Sequence, residues 1–197
     1  MNNTLFVGDS HSVLSFGDRF REEFNHHYQQ QKNLFQYAAS GSRLPGWLSG
    51  DLKTHRLRNL ISLPGEEPHK AGFEMNQSIL QLLQNHQCHE MIIALGTNDL
   101  RALHSKEYEL SNYLQQIAEL RKILVKTTWI LPPRLPETVC SLDLQKAYLQ
   151  AVQTQFSRIH FVDSQWITPD QEDGIHFLQE RAWTWGEVSF RSYLAGL

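Results

Sequence analysis

Cysteine is scarce in this sequence: Cys88 and Cys140 are the only two in 197 residues. They stand far apart, match no metal-ligand spacing and build no disulfide framework, so two free thiols are the expectation. Long apolar runs are missing as well. No stretch approaches the roughly 18 residues of a membrane span, and no integral membrane segment is expected. Positive charge is not in excess. The 18 Lys and Arg face 21 Asp and Glu, a formal net charge of -3, which provides no bulk basic field for nucleic acid. The start, Met-Asn-Asn-Thr followed by an apolar strand, lacks the basic segment and long apolar core of a signal peptide. With Met1 as the natural start, a cytoplasmic protein is expected. Ten histidines include no HExxH or similar pair, so neither a metal nor another cofactor is expected. His26 with His27, and His86 with His89, read as residues of solvated helix ends. No repeat, low-complexity tract or linker divides the chain, and residues 1–197 read as one domain.

Five short runs are apolar and rich in β-formers: "TLFVGD" (4–9), "NLFQYAA" (33–39), "EMIIALG" (90–96), "TTWILP" (127–132) and "IHFVDS" (159–164). None alternates cleanly, which is the pattern of strands covered on both faces. Longer segments with helical spacing lie between them. The clearest is 105–126, where Leu110, Leu114, Ile117, Leu120, Ile123 and Leu124 fall at steps of three and four. Residues 141–156 repeat the pattern through Leu144, Tyr148, Ala151 and Val152, with Ser141 as cap. Residues 75–86 and 178–194 add two more helices. Strands alternating with helices imply a parallel sheet with right-handed crossovers, hence a three-layer α/β/α fold with five strands. The stretch 40–75 reads as an excursion within it, with "SLPGEEPHK" (62–70) as an exposed loop.

Ligands of such a sheet bind beyond the carboxyl ends of its strands. After the first strand comes Asp9-Ser10, after the second "ASGSRLPG" (39–46), after the third "GTND" (96–99), and after the fifth "SQWITPDQEDGIH" (164–176). Ser10 alone reads first as a helix cap and only second as a nucleophile. The company it keeps favours the nucleophile. His176 can take the serine proton, since imidazole titrates near neutrality. Asp173, three residues earlier, can orient the ring. Attack on an ester carbonyl creates an oxyanion, and the backbone N–H groups of Ser10 and Gly41 with the Asn98 side-chain amide are the candidate donors. No metal is needed in such a site.

The four blocks "GDSHS", the glycine of "AASGSRLPG", "GTND" and "DGIH" resemble, in order and spacing, those of the SGNH hydrolases, the GDSL-like esterase superfamily. The resemblance spans residues 5 to 176. It implies a flavodoxin-like α/β/α fold with a five-stranded parallel sheet. It also implies Ser10, Asp173 and His176 as the catalytic triad, and Ser10, Gly41 and Asn98 as the oxyanion hole. His11 departs from the family, either tuning the crevice or packing at the start of the helix. Family members act on lipid acyl chains, small esters and sugar O-acetyl groups, and some transfer the acyl group instead. The leading expectation is an esterase removing a small acyl group, acetyl first, from a carbohydrate-like or other small-molecule ester. An acyltransferase using the same serine, or a non-catalytic binding module of the same fold, are the alternatives. Arg43, Trp47, Arg101 and Trp166 are the candidate substrate-binding residues, with Leu44, Leu100, His104, Pro132, Pro133 and Arg134 beside them. Trp47 and Trp166 read first as caps of the core and second as a stacking surface for a sugar.

Overall fold

The computed structural model describes residues 2–28, 31–52, 57–63, 68–70 and 77–196. Seven strands form a single sheet: β1 (Asn2–Gly8), β2 (Lys32–Ala39), β3 (Leu57–Ser62), β4 (His69–Lys70), β5 (Cys88–Ala94), β6 (Lys126–Ile130) and β7 (His160–Val162). Their order is β4-β3-β2-β1-β5-β6-β7. The five expected strands are all present and run parallel to one another. The sheet is nevertheless larger than five strands. Beyond β2 it continues through β3 and β4, both antiparallel, so part of the excursion expected over 40–75 extends the sheet instead. Residues 64–67 of the expected loop, and 75 and 76 of an expected helix, lie outside the described residues.

Eight helices pack on the sheet: α1 (Ser10–Val13), α2 (Ser15–Tyr28), α3 (Leu44–Ser49), α4 (Ile79–Asn85), α5 (Thr97–His104), α6 (Leu110–Ile117), α7 (Leu142–Gln155) and α8 (Gln179–Ala195). Alternate strand residues feed two separate cores. Leu5, Val7, Met91, Ile93 and Trp129 meet residues of α3 to α7 on one face. Phe6, Ile92, Ala94 and Ile130 meet the aromatic residues of α2 and α8 on the other. With both faces covered, the central strands bury nearly every residue, which is why their sequences do not alternate. The parallel strands have the doubly wound order whose switch point lies between β1 and β5. Chain connections leave in opposite directions there and open a crevice at the carboxyl ends.

Several expectations shift by a turn or a face. The helix expected over 105–126 is α6 followed by a 3₁₀ segment, Ala118–Lys122. The tighter winding moves the apolar stripe off register: Ile117 and Leu120 are buried, whereas Leu124 is 89% exposed. The N-terminal end was also expected too early. Residues 105–109 belong to the turn that ends α5, where Lys106 adopts φ +59 and the Lys106 and Glu107 N–H groups reach back to Leu103 and Ala102. This is the double bond pattern of a Schellman cap with lysine in the position glycine usually fills. His86 ends α4 as expected but is half-buried there. Its ring stacks on Phe35 and its Nε2 lies 2.6 Å from the Tyr37 hydroxyl. Cys88 and Cys140 are both buried free thiols.

Candidate active site

Strand β1 ends at Gly8, and Asp9 caps the short helix that follows, its Oδ1 accepting from the His11 N–H at 3.0 Å. The cap is therefore Asp9, and Ser10 is the first helical residue, with its hydroxyl free of that duty. The Ser10 Oγ lies 3.1 Å from His176 Nε2. His176 Nδ1 lies 2.5 Å from Asp173 Oδ2. With Nδ1–H donated to the carboxylate, Nε2 is left to accept the serine proton. Asp173 and His176 occupy a turn before α8. The second carboxylate oxygen of Asp173 accepts from the backbone N–H groups of Ile175 and His176 at 2.8 and 2.9 Å. Partial burial pushes the Asp173 carboxyl up, but these hydrogen bonds and the one from the His176 ring outweigh it and hold it at about 2. The carboxylate is thus ionised throughout the neutral range and locks both the tautomer and the ring plane of His176.

Behind these three residues lies His11. It is buried, with its ring centroid 5.5 Å from that of His176 and 5.2 Å from Trp185. Burial, reinforced by the neighbouring His176, pushes its pKa down to about 3. A neutral imidazole packed among aromatic rings fits the second of the two readings of this position.

Two further loops close on Ser10. Gly41 follows β2 with φ +74, a conformation that L side chains rarely adopt, and a Cβ there would meet nothing within 4 Å. Glycine is required for the turn, and the space beside it is open. Gly96 follows β5 with φ +136, and a Cβ would stand 2.8 Å from Pro132 and 3.0 Å from the Tyr148 hydroxyl. Only glycine passes there, and it starts α5 so that Asn98 falls in the first turn. The Asn98 Nδ2 donates to the Ser42 carbonyl at 3.3 Å, one of the two N–H groups of that amide. The loops are tied together. Trp47 donates its indole N–H to the Ser42 hydroxyl, which donates to the Gly8 carbonyl. The Leu44 N–H donates to Asp99 Oδ1 at 3.3 Å.

A crevice of about 510 Å³ opens beside these groups, lined by Gly41, Arg43, Asn98, Arg101, Asp173 and Ile175 among others. No protein-family model matches the chain, and no curated protein matches it in sequence. Solved structures do. A lipase/acylhydrolase from Enterococcus faecalis aligns at a TM-score of 0.67 and 14% identity, covering 100% of this chain and 97% of that one. TesA aligns at 0.67 and 15% identity over 100% of both chains. A family two carbohydrate esterase from Cellvibrio japonicus aligns at 0.60 and 11% identity, over 99% of this chain and 61% of its own.

The fold is that of the SGNH hydrolases. On this SGNH scaffold the residues named from sequence divide into two groups. Ser10, Asp173 and His176 form one hydrogen-bonded chain, and Gly41 and Asn98 border the same crevice. Arg43, Arg101 and His104 also line it. Trp47 does not: it is fully buried in the core and buttresses the Ser42 loop, so its surface is closed to a substrate. Leu44, Leu100, Pro132 and Pro133 are likewise buried. Trp166 is half-exposed, its indole N–H donating to the Asp163 carbonyl. Arg134 is exposed. Sequence reasoning missed Glu107, Thr138 and Val139 in the crevice wall, all from connecting segments whose path no periodicity reveals. It also missed the buried acids Asp9 and Asp99.

Those acids make stability depend on pH. Burial raises both carboxyls from 3.8 to about 7, against the backbone hydrogen bonds that lower them. Unfolded, they lose their protons near pH 4; folded, they keep them until near pH 7. The folded state therefore binds more protons across that interval, and stability falls as pH rises through it. At about 1.4 kcal/mol per pKa unit the loss amounts to a few kcal/mol for each carboxyl. Chemical denaturation between pH 4 and pH 8 should show this decline. Asp99→Asn keeps an oxygen for the Leu44 N–H and should flatten the decline. An unchanged slope in that variant would remove Asp99 as its source.

Proposed function

We propose that this protein is a serine esterase that removes a small acyl group, acetyl first among them, from a carbohydrate-like ester. The observation that carries this reading is the continuous chain from Asp173 Oδ2 through both nitrogens of His176 to Ser10 Oγ. In the reaction the Ser10 oxygen attacks the ester carbonyl carbon as His176 Nε2 takes the hydroxyl proton. The carbonyl oxygen gains negative charge, met by the N–H groups of Ser10 and Gly41 and by the Asn98 amide. The intermediate collapses, the C–O bond to the alcohol breaks, and His176 returns the proton to the departing oxygen. Water then repeats the sequence on the acyl-serine. It gives its proton to His176, and collapse releases the carboxylic acid and restores the Ser10 hydroxyl.

The ester-hydrolase character is that of the neighbouring folds, and one of them is a carbohydrate esterase. Turnover should fall steadily along a series of chromogenic esters from acetate to octanoate, and acetylated glycans should release acetate. A rate that peaks at octanoate would overturn the small-acyl assignment. Asp173→Asn should cost less than His176→Ala, because the amide disturbs the tautomer and orientation of a base that is still present, whereas alanine deletes the base. Steady-state kinetics of the two variants on one ester reads the order directly, and a His176→Ala variant as active as the wild type would end the assignment.

A further inference from the structure

Two arginines and two carboxylates line the crevice. Arg43 enters from the loop after β2, and Arg101 from α5, three residues beyond Asn98. Residues three apart on a helix share a face, so Asn98, Arg101 and His104 form a row leading away from the oxyanion donors. Glu107 lies across from it. Its Oε2 is 2.6 Å from Arg43 Nη1, and its Oε1 accepts from the Ser105 hydroxyl at 3.3 Å. Its carboxyl is held below the ordinary value by the Arg43 hydrogen bond above all, with Ser105 and the more distant Arg101 adding to it. Among the described residues Arg101 has no salt bridge of its own. The remaining acid of the crevice, Asp173, is engaged by His176. The wall thus holds two guanidiniums and two carboxylates, but Glu107 is bound to Arg43 and Asp173 to His176, which leaves the Arg101 fork without a carboxylate partner. A guanidinium presents a planar fork of donors that matches a carboxylate or a phosphate.

We infer that the crevice takes an ester bearing an anionic group, a carboxylate or a phosphate, which seats against Arg101 and Arg43 while the ester carbonyl lies at Ser10. This rests on the esterase reading of the same site. Glu107 is the resident counter-ion: it occupies Arg43 and competes with the incoming anion, so its charge limits affinity where Arg101 supplies it.

The test is direct binding in a Ser10→Ala background, where no turnover intervenes. Succinate and methyl phosphate are titrated calorimetrically into Ser10→Ala alone, and into the same protein carrying Arg101→Gln or Glu107→Gln. Arg101 and Glu107 are both exposed, so neither change empties the core. At least one anion should bind, and whichever binds more tightly identifies the charged group. Arg101→Gln should weaken it about tenfold, the scale of one charge-assisted contact in a partly exposed site. Glu107→Gln should tighten it. Binding of neither anion, or affinities indifferent to both substitutions, overturns the inference. A serine-directed phosphonate on the wild-type protein tests the esterase reading separately. Labelling of Ser10 without anion binding leaves the esterase and removes the anionic substrate. Anion binding that depends on Arg101, without labelling, leaves the anion site and removes the esterase.

Discussion

Ser10→Ala is expected to lower ester turnover on the order of 10⁶-fold, the cost of deleting the nucleophile of a serine triad. Its folding should hardly change. The helix cap is the Asp9 carboxylate, which remains, so the loss of about 1 kcal/mol that alanine brings at a capping serine does not apply. What disappears is the hydroxyl 3.1 Å from His176 Nε2. His176 and Asp173 keep their own bond and their backbone contacts, so the base stays in place with nothing to activate. Two measurements on one preparation decide the matter. Thermal unfolding should coincide with that of the wild type, and a chromogenic acetate ester should be hydrolysed no faster than the residual catalysis of the oxyanion donors allows. A serine-directed phosphonate should label the wild type alone. Turnover within tenfold of the wild type in a folded Ser10→Ala protein would sink the nucleophile.

The parallel part of the fold was legible because each strand is a short apolar run, and four of the five stop abruptly in glycine, aspartate or serine. The segments that follow those stops supply Gly41, Asn98 and Asp173 to the crevice. The candidate site was legible for the same reason: Ser10, Gly41, Asn98 and His176 all follow strand ends, and the topology then collects them. Other features left no such mark. The antiparallel β3, LRNLIS, is interrupted by the polar Arg58 and Asn59 and ends in Ser62, so it lacks the apolar run that revealed the parallel strands. The end of α5 was hidden because Lys106, not glycine, adopts the left-handed turn. Position after a motif was a poor guide to direction. Leu100 and Arg101 are adjacent on α5, yet one is buried in the core and the other lines the crevice. Helical spacing from Asn98 separates them, because Arg101 shares its face and Leu100 does not. Trp47 turns inward, as its reading as a core cap has it: it stands on α3, six residues past Gly41, and its indole N–H finds Ser42.

Asn98→Ala is expected to lower turnover by about 10²–10³, or roughly 3–4 kcal/mol, the usual cost of losing one oxyanion donor. The argument lies in when the bond matters. A substrate carbonyl is a modest acceptor, and the tetrahedral oxyanion is a strong one. A donor fixed beforehand therefore stabilises the transition state more than the bound ester, and its loss falls on kcat with little change in KM. Asn98 is fixed beforehand. It sits in the first turn of α5, and one of its N–H groups is held by the Ser42 carbonyl. That same bond gives the competing account, in which Asn98 merely ties α5 to the loop after β2. Losing one such bond costs about 1 kcal/mol of stability. On that account the melting temperature falls while each folded molecule works at nearly its former rate. Asn98→Asp separates the two further, since it retains the side-chain size but presents a carboxylate, not a donor, toward a developing negative charge. Both variants should keep KM within a few-fold and lose kcat, the aspartate more than the alanine. A folded Asn98→Ala protein with near-wild-type kcat would remove Asn98 from the oxyanion hole and leave it the tie between two loops.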